Sequence, residues 1–535
     1  MKVYIIKRKI IICLMLVILL VMTGVVVYAA GGDPTGANLG TVKDITSAVA
    51  GKPTLDEVAT QVAKNKLGVN FVWVMLTAFL IFFFQAGFAL VETGFTQAKN
   101  AMHTMAMNLM VFLVGTVGFF LTGFAFMMGG AGSFSSLGGT APLNHALSIG
   151  GWNLLGLNGF FLSSGGTYDV GVYALFFFEM VFMDTTVTIP TGAMAERVKF
   201  SAIVIGSFFV SMIYYPIYGG WVWGGGWLSQ LGAKLGLGNG VIDFAGSGVV
   251  HAMGGMMALA GAMVIGPRIG KFKKDGTPVP IPGHDIPMAI LGTIILFFGW
   301  FAFNAGSTLN GTDLRLAVVA TNTMIAGAVG GLVAMLYMWI KYGKPDPSMM
   351  CNGALAGLVA ITAPCAFVNG ISAFIIGAMA GILVCVSVAF VENKLKVDDP
   401  VGAFSVHGVN GLWSILSVGI FADGTYGAGL NGVQGAVTGI LYGNTGQLWA
   451  QLIDIAVIII YGFGLSYLFY KALDAIMGIR VKPEDEIAGL DLPEMGVLAY
   501  PDFQLTPVVY SDGVLEKNMK SPEVIDDTGI SKGVK

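Results

Sequence analysis

Few side chains in so apolar a chain can do chemistry, and two histidines stand out. His251 lies in "DFAGSGVVHAMGG" (Asp243 to Gly255) and His407 in "VHGVNG" (Val406 to Gly411). Both stretches fall inside long apolar runs. An ionisable residue at membrane depth is a functional candidate by default. A neutral ring packed against a backbone carbonyl is the competing account. Neutral imidazoles each offer one donor and one acceptor. A pair of them suits a small neutral polar molecule, or a proton handed between rings. It suits a bare metal ion poorly, because no carboxylate or thiolate cluster accompanies it, and no metal or cofactor is expected. His103 (a helix start), His145 and His284 (loops) are expected to be solvated or interfacial.

Asp243 stands eight residues before His251, where a helix should begin. Its simplest role is an N-cap, accepting from the free amides of the first turn. Aromatic residues surround it in the sequence. Phe178 and Phe182 are four apart and share a helix face. Trp223 sits in the glycine-rich "YGGWVWGGGW". Such rings at a pore mouth can hold a small cation by their π faces, although most membrane aromatics serve packing or interface belts. A bare ion crossing an apolar, histidine-lined centre meets a large desolvation cost. A cation able to shed a proton escapes it; sodium and potassium cannot.

These residues need membrane helices to position them. The chain has 535 residues, 55% hydrophobic and 11% charged, against about one quarter charged for a soluble protein. That composition predicts an all-α integral membrane protein. A net charge of -3 gives no basic excess of the kind nucleic-acid binders use. Cys13, Cys351, Cys365 and Cys385 all lie in apolar runs and read as small buried hydrophobes.

Runs of about 20 apolar residues cross a bilayer as helices. Eleven are expected, near 69–92, 101–128, 170–191, 200–218, 244–266, 288–306, 316–339, 349–367, 371–391, 401–421 and 448–470. Before them, residues 1–30 have the layout of a signal peptide: Lys2, Lys7, Arg8 and Lys9, an apolar stretch, then Ala29 and Ala30. Residues 31–68 read as an exported lead-in, 69–470 as the membrane domain and 471–535 as a cytoplasmic tail. With the N-terminus outside, the inner loops hold Lys99, Arg197, Lys199, Arg268, Lys271, Lys273, Lys274, Lys341, Lys344, Lys394 and Lys396. The outer loops between spans hold only Lys234 and Arg315. This asymmetry follows the positive-inside rule. It predicts a multi-pass protein of the cell (inner) membrane, in contact with lipid.

"VHxxxG" occurs in the fifth and tenth spans. Two copies of five spans each must be inverted, giving a 5+5 repeat plus a final helix, a common transporter plan. Each histidine then lies ~10 Å deep from opposite faces of a ~30 Å core, so both reach its centre.

From about 69 to 503 the chain resembles the ammonium transporter family (Amt/Mep, with the Rh proteins as distant relatives), in its prokaryotic Amt form. "DFAGSGVVHAMGG", "QAGFALVETGF", "GAMAERVKFSA", "YGGWVWGGGW", "FGWFAFNAGS", "VDDPVGAFSVHG" and "GLDLPEMGVLAYPDF" carry the resemblance. It implies that Phe178, Trp223 and Ser307 form an outer ammonium site where the cation is deprotonated, with Asp243 needed for its architecture or for the deprotonation. It implies that Phe182 and Phe303 are a stacked gate and that His251 and His407 line the pore below. It also implies a homotrimer, and P-II signal proteins as partners at the cytoplasmic face. Glu179 and Asp184 depart from the pattern, standing where uncharged residues are usual. The function implied is ammonium transport, with ammonia crossing the pore with or without the proton. The alternatives are an Rh-like gas channel, and a sensor signalling through its tail. Nothing in the sequence makes a nucleophile–base set in a sensible context, so an enzyme is not expected.

Overall fold

The computed structural model describes residues 54–140, 143–162 and 169–501, with two short strand segments at 510–511 and 514–515. The expected leader and its cleavage site lie outside the described residues, as does Cys13.

Helix α1 (Leu55–Phe95) begins well before the expected residue 69. Its start is a capping box. The Thr54 hydroxyl accepts from the Glu57 amide at 3.2 Å, and the Glu57 carboxylate accepts from the Thr54 amide at 2.8 Å. The following helices are α2 (Ala98–Met128), α3 (Val170–Met194), α4 (Phe200–Val222), α5 (Ser247–Ile265), α6 (Ile286–Gly306), α7 (Leu316–Tyr342), α8 (Pro347–Thr362), α9 (Gly370–Leu395), α10 (Phe404–Phe421) and α11 (Thr445–Met477). Among the described residues, ten of these are long and apolar enough to cross a membrane. The exception is α8, with 16 residues. The apolar run continues to 367, but Pro364 has no amide with which to extend the ladder. The loop between α2 and α3 also carries an antiparallel hairpin, β1 (Ala146–Ile149) and β2 (Trp152–Gly156), absent from the all-helical expectation.

Helices α3 and α5 form the centre, with 78% and 83% of their apolar windows buried, against 22% for α11 at the periphery. Small residues allow α5 and α10 to cross closely. A Cβ on Gly255 would collide with the backbone of Gly408, and one on Gly411 would come within 2.7 Å of the Ser247 carbonyl.

The two ends of the bundle differ. At one end, loops from several helix connections surround a cavity of about 790 Å³; this is the vestibule end. At the other, the chain after α11 folds back across the bundle as α12 (Pro483–Ala488) and α13 (Asp491–Met495); this is the tail end. Lys99 donates to the carbonyls of Glu486 and Ile487, the Leu490 amide donates to Asn100, and the Asp491 carboxylate accepts from the His103 amide. His103 is therefore not solvated: it is fully buried beneath α13, against the ring of Phe200. His284 is half-buried and hydrogen-bonds the Thr96 carbonyl and the Tyr500 hydroxyl, while His145 is exposed as expected. Cys351, Cys365 and Cys385 are buried and free.

Candidate functional site

Asp243 begins the site by organising the start of α5. One carboxylate oxygen accepts from the amides of Gly246 (3.0 Å) and Ser247 (2.8 Å), the other from Gly248 (2.8 Å) and Val249 (2.9 Å). Four orphan amides of a helix N-terminus meet four acceptor sites. Gly246 permits this turn with φ of 105°. The backbone carbonyl of Asp243 also accepts from the Trp223 indole at 2.7 Å, fixing that ring over the cavity.

His407 is held by a matching device. Asp399 caps the start of α10 through the amides of Gly402 (3.0 Å) and Phe404 (2.8 Å), and Gly402 has φ of 78°. Both histidines sit on π-helical turns, Ser247–Ala252 and Phe404–Val409. Asp243, Gly246, His251 and Gly255 thus keep the same spacing as Asp399, Gly402, His407 and Gly411. "VHxxxG" alone missed Asp399; reading seven residues further upstream in both copies exposes it.

Phe178, Phe182, Trp223, Asp243 and Ser307 all line the vestibule cavity, together with Glu179. Phe178 and Phe182 have ring centroids 4.8 Å apart, and Trp223 meets Phe182 edge-on at 5.9 Å. The Ser307 hydroxyl donates to the Phe303 carbonyl at 2.8 Å. Phe182 then stacks on Phe303 at 4.1 Å, both rings essentially inaccessible. The cavity lining includes Phe182 but neither Phe303 nor the histidines.

Beyond the stack, the His251 ring lies 5.4 Å from Phe303 and 5.2 Å from His407. The two Nδ1 atoms are 3.2 Å apart. One must donate and the other accept, so the two neutral rings hold opposite tautomers. Apolar neighbours surround them. Trp300 stacks on His251 at 4.9 Å, Phe88 lies 5.9 Å from His407, and Phe84 stacks on Phe303 at 5.4 Å. These three aromatics were not singled out from the sequence. Their only signal is location, in the same stretches "FGWFAFNAGS" and "QAGFALVETGF" or directly before one of them.

Glu179 and Asp184 separate. Glu179 lines the cavity beside Phe178, whereas Asp184 is buried past Phe182 and is not among the lining residues. Glu179 Oε2 and Asp184 Oδ1 have no hydrogen-bond partner among the described residues.

The arrangement is an aromatic mouth lining a cavity, a closed ring stack and a buried imidazole pair in one column. A cation can meet π faces and hydroxyl oxygen in the mouth. Past the stack the partners suit a neutral molecule with both N–H groups and a lone pair.

The family model described as "Ammonium Transporter Family" matches residues 72–500. The chain is 45% identical over 498 residues to "Ammonium transporter Amt2" of Archaeoglobus fulgidus, covering 92% of this chain and 96% of that one. It is 36% identical to "Ammonium transporter Amt1" of Haloferax mediterranei, over 82% of this chain and 80% of the relative. Among solved structures it resembles "Sensor Amt Protein", with a TM-score of 0.70 at 37% identity, covering 81% of this chain and 99% of that one. It also resembles Candida albicans Mep2, with a TM-score of 0.68 at 27% identity, covering 84% and 94%.

Proposed function

This chain belongs to the Ammonium Transporter Family, and from that premise we propose that it is an ammonium transporter of the cell membrane. It is a multi-pass membrane protein. The observation that carries the reading is the unbroken column from the cavity, through the Phe182–Phe303 stack, to the 3.2 Å histidine contact.

In this reading Phe178, Trp223 and Ser307 hold ammonium in the mouth through ring faces and a hydroxyl. Asp243 holds the shape of that mouth by locking the start of α5. Phe182 and Phe303 are the gate, which excludes water and any ion unable to lose its charge. Ammonia then crosses along His251 and His407, giving a hydrogen bond to one ring and accepting one from the other. The matched Asp, Gly, His and Gly positions of α5 and α10 support an inverted 5+5 repeat. The basic loops of the tail end support its assignment to the cytoplasm. Trimeric assembly with one pore per chain, and control by a P-II protein at the tail end, complete the proposal on the family resemblance.

The test is an ammonium pulse applied to proteoliposomes on a supported membrane, with an internal pH dye, sodium and choline controls, and the H251A/H407A double variant. Expected is a saturable ammonium-specific response lost in the variant. A current would mean that charge crosses; alkalinisation faster than in protein-free vesicles would mean that ammonia crosses alone. Neither response, from folded protein that still binds ammonium, would replace transport with sensing.

A further inference from the structure

Two carboxylates line the vestibule, and they are in opposite states. Both oxygens of Asp243 are saturated by the four amides of Gly246, Ser247, Gly248 and Val249 at 2.8–3.0 Å. To take a proton, Asp243 would have to surrender amides that hold the helix start, and its acceptor sites are already filled. Glu179 is 5% exposed, lines the same cavity, and has an oxygen that no described group meets. It is adjacent to Phe178 and three residues before Phe182, so one turn of α3 carries the aromatic mouth, the carboxylate and the gate ring. An unpaired buried carboxylate is costly, and a cation with N–H donors is the ligand that would offset that cost here.

Building on the transport reading above, we propose that Glu179, not Asp243, is the proton acceptor of the vestibule. Ammonium donates an N–H to the free oxygen of Glu179. The N–H bond breaks with its electron pair staying on nitrogen, and an O–H bond forms on the carboxylate. Neutral ammonia passes the Phe182–Phe303 stack. The carboxylic acid then releases its proton to vestibule water, which restores the carboxylate for the next ammonium. Asp243 is a positioning residue in this scheme, acting through the helix start and Trp223.

The experiment measures ammonia entry into proteoliposomes as a function of external pH for wild type, E179Q and E179D. Glutamine keeps the size of the side chain and removes the acceptor. Entry through E179Q should fall on the order of 100-fold at neutral pH, where the substrate arrives as ammonium, a range typical of losing one general base. The deficit should shrink as the pH approaches the pKa of ammonium itself, because ammonia then arrives already deprotonated. E179D should recover part of the neutral-pH rate. A deficit equal at every pH, or none, overturns the assignment. If the wild type itself shows no ammonium-dependent entry, the transport reading falls. Glu179 is then judged by calorimetric ammonium binding, whose pH dependence must disappear in E179Q for the assignment to stand.

Discussion

The vestibule end and the tail end both bury carboxylates, and they treat them differently. At the tail end, Glu196 and Asp398 converge on Arg268, at 2.8 Å from Nη1 and Nε respectively, and a second Asp398 oxygen meets Nη2 at 2.9 Å. Glu196 also accepts from Gln97 and Asn100. Arg197 spends its donors on the carbonyls of Ala193, Ala195, Gly266 and Asp398. At the vestibule end, Asp243 is saturated by backbone amides, but Glu179 has an oxygen with no partner among the described residues. Charge that is matched on every side joins segments together. Charge left open beside a cavity is available to something that enters it. The tail end is therefore the clasp of the structure, and the vestibule end is where its chemistry is exposed.

The most severe way to break this contrast is R268A. It strands two buried carboxylates at once, and breaking a buried pair from one side costs roughly 3–5 kcal/mol. The expected result is a large fall in thermal stability in detergent and loss of protection of the segment 483–495 from proteolysis. A near-normal melting temperature would mean that the clasp contributes little.

D398N should cost less, roughly 1.5–3 kcal/mol for charge-assisted bonds that become neutral, because Glu196 still pairs with Arg268. Its signature is in the pH profile. Burial works against the Asp398 charge, but the Arg268 and Arg197 guanidiniums outweigh it and hold the carboxyl well below its usual range. A folded value depressed in this way gives stability that is present above the unfolded value of about 3.9. That stability is lost as the pH falls through the folded value. The gap between wild type and D398N should thus be constant at neutral pH and close on acidification. A gap that is the same at every pH would place the effect of the substitution in packing.

The same contrast separates what was legible in the sequence from what was not. Apolar runs gave away most of the spans because a bilayer imposes both length and composition. The run 349–367 holds a helix of only 16 residues, since hydropathy does not register that Pro364 ends a hydrogen-bond ladder after Thr362. The early start of α1 was readable as Thr54 to Glu57, a capping box masked by the polar residues after it. His251 and His407 could be brought together on paper because equal depth in opposed helices is arithmetic. The burial of His103 could not, because it depends on Asp491 returning across the bundle from 388 positions away. Glu179 and Asp184 were visible as misplaced carboxylates. Only the side-chain geometry separates the one facing the cavity from the one beyond the gate ring.

The smallest expected effect is the sharpest test of the contrast. If Glu179 holds nothing together, E179Q should change unfolding stability by no more than about 1 kcal/mol, and in the stabilising direction. It replaces a buried carboxyl that has an unpartnered oxygen at nearly constant volume. This is the opposite sign to D398N, although both substitutions neutralise a buried carboxylate. The difference would come entirely from what surrounds the group, three guanidinium and amide donors at the Asp398 carboxylate or Arg-free space at the wall of a cavity. Thermal melts of the two variants beside wild type, in the same detergent and at neutral pH, read it directly. A destabilisation of E179Q comparable to that of D398N would mean that Glu179 is engaged structurally after all, and the division of the molecule into clasp and open chemistry would fail at its most exposed point.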